Sequence, residues 1–96
     1  MDDLRVKEQL TDFVLENYLF GDTTRIPGED DGLVEEGIID STGVLELIEF
    51  LESQFDITVS EEETVPENLG TIAKLTRYVT AKRRAAERDL EFGRAS

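Results

Sequence analysis

The sequence predicts a small all-α fold, a four-helix bundle of three main helices and one short helix, with a long loop between helices 1 and 2. Three segments carry large apolar residues at the 3.6-residue spacing of a helix. No segment shows the alternation of polar and apolar residues that is typical of a strand. Ninety-six residues, 39% of them hydrophobic, are enough for one domain with a modest core.

The first helix is predicted from about Asp3 to Phe20. Gly21 follows directly and is a suitable residue for ending it, because glycine reaches the left-handed region at little cost. The apolar residues that share one face of this helix are Val6, Leu10, Phe13, Val14 and Tyr18.

Residues 21–39 are predicted to form a long loop, which is unusual in a compact domain unless the loop packs or has a function. Five apolar residues are expected to hold it against the bundle: Ile26, Leu33, Val34, Ile38 and Ile39. The cluster Glu29-Asp30-Asp31-Gly32 does not fit the spacing of an EF-hand, because Pro27 would occupy the first ligand position. We expect no specific metal site here.

The second helix is predicted over residues 41–56. Its apolar stripe is Val44, Leu47, Ile48, Leu51 and Phe55. Asp40 stands where a helix needs an N-cap acceptor, and Ser41 is then the first helical residue, at the positive end of the helix dipole. Such a position suits one covalently attached phosphate ester. Gly43, in the first turn, is expected to leave space beside the serine.

The C-terminal half begins with a capping box, in which Ser60 is the N-cap and Glu63 is the third helical residue. Pro66 is expected to limit this turn, so that the third helix is short. The fourth helix is predicted to start at Asn68 or Thr71. Its inward-facing residues are Ile72, Leu75 and Val79.

We assign residues 1–84 to one domain and residues 85–96 to a charged C-terminal extension that is helical and then frayed. No apolar run approaches the length of a membrane span, and the first residues lack the composition of a signal peptide. The expected location is therefore cytoplasmic, without membrane contact.

The charge is strongly acidic and unevenly distributed. The net charge is −13, and the segment 26–73, called the acidic stretch below, holds 14 Asp and Glu and no Lys or Arg. Nucleic acid is excluded as a partner, since phosphate contacts need basic residues. Two interpretations stay open: a solvated surface that aids solubility, and a docking surface for enzymes with basic patches.

Residue types also limit the chemistry. The chain has no Cys and no His, which excludes thiol nucleophiles, disulfides and imidazole acid–base catalysis. A free-standing enzyme would have to use carboxylates, Ser, Lys and Tyr on a domain with little room for a pocket. We therefore expect no enzymatic activity.

The run Glu36-Gly37-Ile38-Ile39-Asp40-Ser41, which opens an acidic helix ending in Gln54-Phe55, resembles the acyl, peptidyl and aminoacyl carrier proteins. The similarity extends from about Val6 to Val79. It implies a bundle of the acyl-carrier-protein type in which Ser41, preceded by Asp40, carries 4′-phosphopantetheine from coenzyme A. The thiol of that arm would hold an acyl or aminoacyl cargo as a thioester.

The same resemblance implies the partners: a phosphopantetheinyl transferase, a cargo-activating ligase or synthetase, and downstream acyl-processing enzymes. The carrier itself is expected to be a monomer. The residues expected to contact partners lie on the second helix: Thr42, Leu45, Glu46, Glu49, Phe50 and Glu52. Leu45 and Phe50 are also interpretable as edges of the core, which is the more common case for a single apolar residue.

Two residues depart from the pattern of fatty-acid carriers, which usually follow the serine with Leu. Here Thr42 follows it, and then Gly43 stands where an acidic residue is common. We therefore favour a dedicated carrier in a specialised pathway, whose cargo the sequence leaves open. The alternative is a non-carrier acidic helical module that binds a basic partner protein.

Overall fold

The computed structural model describes residues 3–92, and over that range the chain is helical without strands. Its four α-helices are α1 (Asp3–Tyr18), α2 (Ser41–Phe55), α3 (Pro66–Leu69) and α4 (Ile72–Phe92). Short 3₁₀ turns lie at Thr23–Arg25 and Glu61–Glu63. The predicted bundle of three main helices and one short helix is confirmed. No helix in the described range is long and apolar enough to cross a membrane.

The apolar stripes of the three long helices meet in one core. Its most deeply buried members are Val6, Leu10 and Val14 of α1, Leu47 and Leu51 of α2, and Ile72, Leu75 and Val79 of α4. Burying one such side chain contributes roughly 1.5–3 kcal/mol relative to leaving it exposed. The predicted inward faces of all three helices are thereby confirmed.

Helix α1 ends two residues earlier than predicted. Phe20 and Gly21 both have positive φ, 54° and 83°, so the chain leaves the helix at once. The Gly21 amide donates to the Leu15 carbonyl at 3.0 Å and closes this turn. A continued helix would place Leu19 about 140° from Val14. The turn instead buries Leu19, which is 2% exposed, and core burial therefore decides where α1 ends.

The ends of the later helices follow local capping, with three corrections to the predictions. Helix α2 stops one residue early, because Asp56 adopts the left-handed conformation at φ 56°. Pro66 begins α3 instead of limiting a helix before it, since the first helical position needs no N–H. The fourth helix starts beyond Thr71, whose Oγ1 accepts from the Lys74 amide at 3.1 Å. The alternative start at Asn68 is wrong, because Asn68 lies within α3.

The loop 21–39 is held by a subset of the predicted residues. Leu33 and Ile39 are buried, and Ile38 is half-buried. The Leu33 amide donates to the Gly70 carbonyl at 2.9 Å, which joins the loop to the segment between α3 and α4. Ile26 and Val34 are 39% and 55% exposed, so the prediction that they hold the loop is wrong.

The capping box of the 3₁₀ turn is confirmed: the Glu63 amide donates to Ser60 Oγ, and the Ser60 amide donates to the Glu63 carboxylate. At the other end of the chain, α4 is helical to Phe92. The fraying predicted for the C-terminal extension concerns residues 93–96, which lie outside the described range. The division between residues 84 and 85 stays a prediction.

Candidate functional site

The start of α2 is built by Asp40. Its backbone is extended (φ −94°, ψ −176°), and its Oδ1 accepts from the Gly43 amide at 2.7 Å. Its carbonyl accepts from the Val44 amide at 3.0 Å. Asp40 is therefore the predicted N-cap, and Ser41 is the first helical residue.

Ser41 is exposed, so its hydroxyl is open to an enzyme. The next amides of the turn, of Gly43 and Val44, are occupied by Asp40. Among the backbone atoms of residues 3–92 and the side chains of residues 3–85, no acceptor lies on the amides of Ser41 and Thr42. Two unpaired N–H groups at the positive end of a 15-residue helix favour a phosphate oxygen placed beside them.

Gly43 has a different role from the one predicted. It is buried, and a Cβ there would lie 2.7 Å from Ile39 Cγ2 and 3.1 Å from the Tyr18 hydroxyl oxygen. On a helix, residues two positions apart point about 200° away from each other, so Gly43 faces the bundle while Ser41 faces solvent. The missing side chain allows α1 and the loop to approach α2, and it does not provide space beside the serine.

Tyr18 connects α1 to this turn. Its hydroxyl donates to Glu46 Oε1 and is 3.3 Å from the Gly43 carbonyl oxygen. Burial, and then the hydrogen bond to Glu46, raise the pKa of Tyr18, so the phenol stays a neutral donor. The sequence predicted Tyr18 only as a residue of the apolar face of α1. Nothing in the spacing of the chain links it to a carboxylate 28 positions later.

The residues predicted for partner binding fall into two groups. Thr42, Leu45, Glu46 and Glu49 are exposed on α2, with Leu45 at 64%. Phe50 and Glu52 are half-buried and have contacts within the protein. The ring of Phe50 stacks on that of Phe13 with centroids 4.3 Å apart, and Glu52 Oε2 accepts from the Val59 amide at 2.9 Å. The docking role of all six residues stays a prediction.

A cleft of about 400 Å³ opens beside the start of α2. Its walls are mostly apolar and come from the loop, α2, α3 and the start of α4; they include Val34, Val44, Val65, Pro66 and Leu69. Glu35 and Lys74 add one charge of each sign. Val44 lies three residues beyond Ser41, one turn further along the helix, so the cleft adjoins the serine's end of α2.

Two acidic residues of the predicted cluster at 29–32 have partners of their own. Asp31 Oδ2 accepts from the Gly28 amide at 2.8 Å, and Glu29 pairs with Lys7 at 2.6 Å. Among the side chains described, those of residues 3–85, no group of three carboxylates lies close enough together to hold a metal ion.

A small helical bundle that exposes one serine at the start of an acidic helix has the architecture of a carrier protein. Comparison with known proteins supports this class. The chain is 37% identical over 70 residues to a D-alanyl carrier protein of Streptococcus suis (strain 05ZYH33), covering 73% of this chain and 85% of the relative. It is 35% identical over 72 residues to the D-alanyl carrier protein of Streptococcus sanguinis (strain SK36), covering 75% and 89%.

A D-alanyl carrier protein of Streptococcus thermophilus (strain LMD-9) is 41% identical over 56 residues, covering 58% of this chain and 71% of the relative. No family model matches the chain. The chain belongs to the carrier protein family of the acyl-carrier-protein type, together with these D-alanyl carrier proteins. It is a carrier protein, and the alternative of a non-carrier interaction module is set aside.

Proposed function

We propose that Ser41 carries 4′-phosphopantetheine and that the loaded protein presents a small aminoacyl group to partner enzymes. One observation supports this site above all: Ser41 is exposed at the first position of α2, beside two amides without an acceptor in the described range. The residues fit the group, because these amides favour the phosphate and Ser41 is exposed.

The residues of this chain have distinct tasks in acquiring the arm. Ser41 Oγ forms the new bond to the phosphorus next to pantetheine in coenzyme A, and its proton passes to a base of the separate phosphopantetheinyl transferase. The pyrophosphate bond of coenzyme A breaks in the same step, and adenosine 3′,5′-bisphosphate leaves. Asp40 is not that base, since its carboxylate already accepts from the Gly43 amide and shapes the helix start. The amides of Ser41 and Thr42 stabilise the phosphate charge. When bound, the arm supplies the thiol that holds the cargo as a thioester.

The cargo that we propose is D-alanine, since the relatives are named D-alanyl carrier proteins. An alanyl group is far smaller than the cleft of about 400 Å³ beside α2. We infer that this cleft shelters the arm with its cargo, since its apolar walls suit the methylene groups of the arm. A ligase that activates the amino acid with a nucleoside triphosphate would load the thiol.

The carrier itself catalyses no step in this proposal. Its tether keeps the cargo at high local concentration near each enzyme. The exposed carboxylates of α2 steer enzymes with basic surfaces, which include the transferase, the ligase and a downstream acyl-processing enzyme. We place this exchange in the cytoplasm and the carrier in it as a monomer.

Intact mass spectrometry tests the attachment site. The parent protein, incubated with coenzyme A and a broad-specificity transferase, should gain the mass of one phosphopantetheine group. Ser41→Ala should fold normally, because the first helical position needs no hydroxyl, and should gain no mass. Ser53→Ala is the matched control, since Ser53 is another exposed serine of α2. Mass gain by Ser41→Ala, or its absence in the parent, would refute the assignment.

The cargo is tested separately with the loaded protein. A ligase specific for D-alanine should add one alanyl group that hydroxylamine removes, as expected for a thioester. Ligases for L-amino acids and for fatty acids serve as comparisons. Preferential charging by one of those would refute D-alanine as the cargo and leave the attachment site intact.

A further inference from the structure

The ring of Tyr18 is fixed by its neighbours. It meets Phe13 edge-on, with centroids 5.8 Å apart, and Phe13 in turn stacks on Phe50 of α2 at 4.3 Å. On its other side, the ring edge and hydroxyl approach the site where Gly43 lacks a Cβ. Because aromatic contacts and a buried glycine surround the ring, the hydroxyl has one location at the surface.

That location determines where Glu46 lies. The hydroxyl donates to Glu46 Oε1, which leaves the second carboxylate oxygen for a partner. A hydrogen bond to an ionised acceptor is stronger than one between neutral groups. Glu46 is four residues beyond Thr42, and the two residues therefore share a face of α2. Among the side chains that the structure describes, those of residues 3–85, no hydrogen-bond donor contacts Glu49, which is exposed on the same helix.

We propose that Tyr18 is a positioning residue for partner recognition, which holds Glu46 in one conformation before an enzyme docks at Ser41. The inference rests on the proposed function and adds a distinction between two carboxylates. Glu46 is a preordered anchor for one basic group of the partner, whereas Glu49 acts through its charge alone. The partner is the transferase that attaches the arm to Ser41, with an Arg or Lys opposite Glu46.

The restraint on Glu46 is expected to raise the affinity for the partner enzyme through entropy. Immobilising a flexible side chain at an interface costs about 0.5–1.5 kcal/mol, which corresponds to roughly a two- to tenfold change in affinity. Because Tyr18 already restrains the Glu46 side chain in the folded protein, this entropic cost is not incurred again when an enzyme docks. Tyr18→Phe preserves the ring, its packing and the net charge, and it removes only the hydroxyl.

The rate of arm transfer onto Ser41, measured as kcat/KM of the transferase for the carrier, tests the inference. Tyr18→Phe should lower it about two- to tenfold, with the dependence on sodium chloride unchanged because no charge is lost. Tyr78→Phe is the matched control, since Tyr78 also donates to a glutamate, Glu63, at 3.1 Å, but from α4. This control should destabilise the fold without slowing transfer.

A double-mutant cycle separates positioning from a structural role. In the Glu46→Ala background, Tyr18→Phe should slow transfer no further, whereas in the Glu49→Ala background it should have its full effect. An effect of Tyr18→Phe that is equal in all backgrounds, or no effect in any, would overturn the inference. A parent protein that accepts no arm would instead refute the proposed function.

The side-chain order of the free carrier gives a test that needs neither variant nor transferase. NMR three-bond couplings report the χ1 distribution of each glutamate. Glu46 should populate one rotamer predominantly, and Glu49 should average over several. Equal averaging of the two side chains in the parent would overturn the proposal that Tyr18 restrains Glu46.

Discussion

Glu63→Gln should destabilise the protein at neutral pH and lose that effect in acid. The Glu63 carboxylate accepts from the Ser60 amide, the Tyr78 hydroxyl and the Lys82 ammonium, all at 3.0–3.1 Å. The Ser60 amide caps the 3₁₀ turn at 61–63, and the Tyr78 and Lys82 donors join this turn to α4. A glutamine keeps the shape of the side chain but removes the charge that all of these donors stabilise.

The lowered pKa of Glu63 sets the size of the expected loss in the free energy of unfolding. The Ser60 amide first, and the Lys82 ammonium second, lower this pKa from its ordinary value of 4.5 to about 2. At about 1.4 kcal/mol per pKa unit, the upper limit is roughly 3 kcal/mol. The side chain is 32% exposed, so solvent screening reduces the contribution, and we expect about 1–2 kcal/mol.

The sign follows from the lowered pKa. The unfolded chain binds a proton near pH 4.5, and the folded protein does so only near pH 2. The stabilisation is therefore complete above the unfolded-state pKa and is lost as the pH falls through about 2. The free energy of unfolding of parent and variant should differ by about 1–2 kcal/mol at pH 7 and converge in acid.

Urea unfolding, followed by circular dichroism at several pH values, measures this difference. Glu62→Gln is the matched control, because Glu62 is the exposed carboxylate next to Glu63 on the same turn. Removing the charge of Glu62 should be neutral or slightly stabilising, since the substitution relieves repulsion within the acidic stretch. Equal effects of the two substitutions at pH 7, or a difference that persists undiminished at the lowest measurable pH, would refute the assigned network.

Three further predictions concern the surface and the core. The midpoint of thermal unfolding should rise with sodium chloride and with mild acidification before acid unfolding begins, because both reduce repulsion within the acidic stretch. Melts at low and high salt measure this effect. A flat or falling midpoint would show that local ion pairs outweigh the repulsion. Glu46→Lys and Glu49→Lys should slow loading by the transferase at low salt, by a factor that shrinks as salt rises, whereas Leu45→Ala should weaken loading by a factor independent of salt. Equal rates for all of these variants and the parent would place recognition elsewhere, first of all on the 21–39 loop. Gly43→Ala should lower the free energy of unfolding by about 1–3 kcal/mol in urea titrations, because the added Cβ would lie 2.7 Å from Ile39 Cγ2. Unchanged or raised stability would mean that the gain in helix propensity exceeds the cost of crowding.

Features that depend on residues three or four positions apart were predictable from the sequence. The stripe on α2 and the N-cap at Asp40 are confirmed, as is the capping box between Ser60 and Glu63. In each case the two partners lie within one turn of the chain, so the order of residues specifies the contact. The exposed position of Ser41 follows from the same local rules.

The tertiary structure decided the features that join distant segments. Leu33 and Ile39 of the loop are buried while Ile26 and Val34 are exposed, although all four are apolar. Which of them enters the core depends on the space left between helices and on long-range hydrogen bonds such as that from Leu33 to Gly70. Hydrophobicity alone does not determine which of four similar apolar side chains in one loop is buried.

Dependence on the packing of distant segments also explains why two features of the site were not predictable from the sequence. The burial of Gly43 beneath Tyr18, and the hydrogen bond from Tyr18 to Glu46, join positions 25 and 28 residues apart. Periodicity places Tyr18 on the inner face of α1 and Glu46 on the outer face of α2, and it leaves open the distance between the two helices. Only the packing of α1 against α2 across a residue without a side chain brings the phenol to the carboxylate.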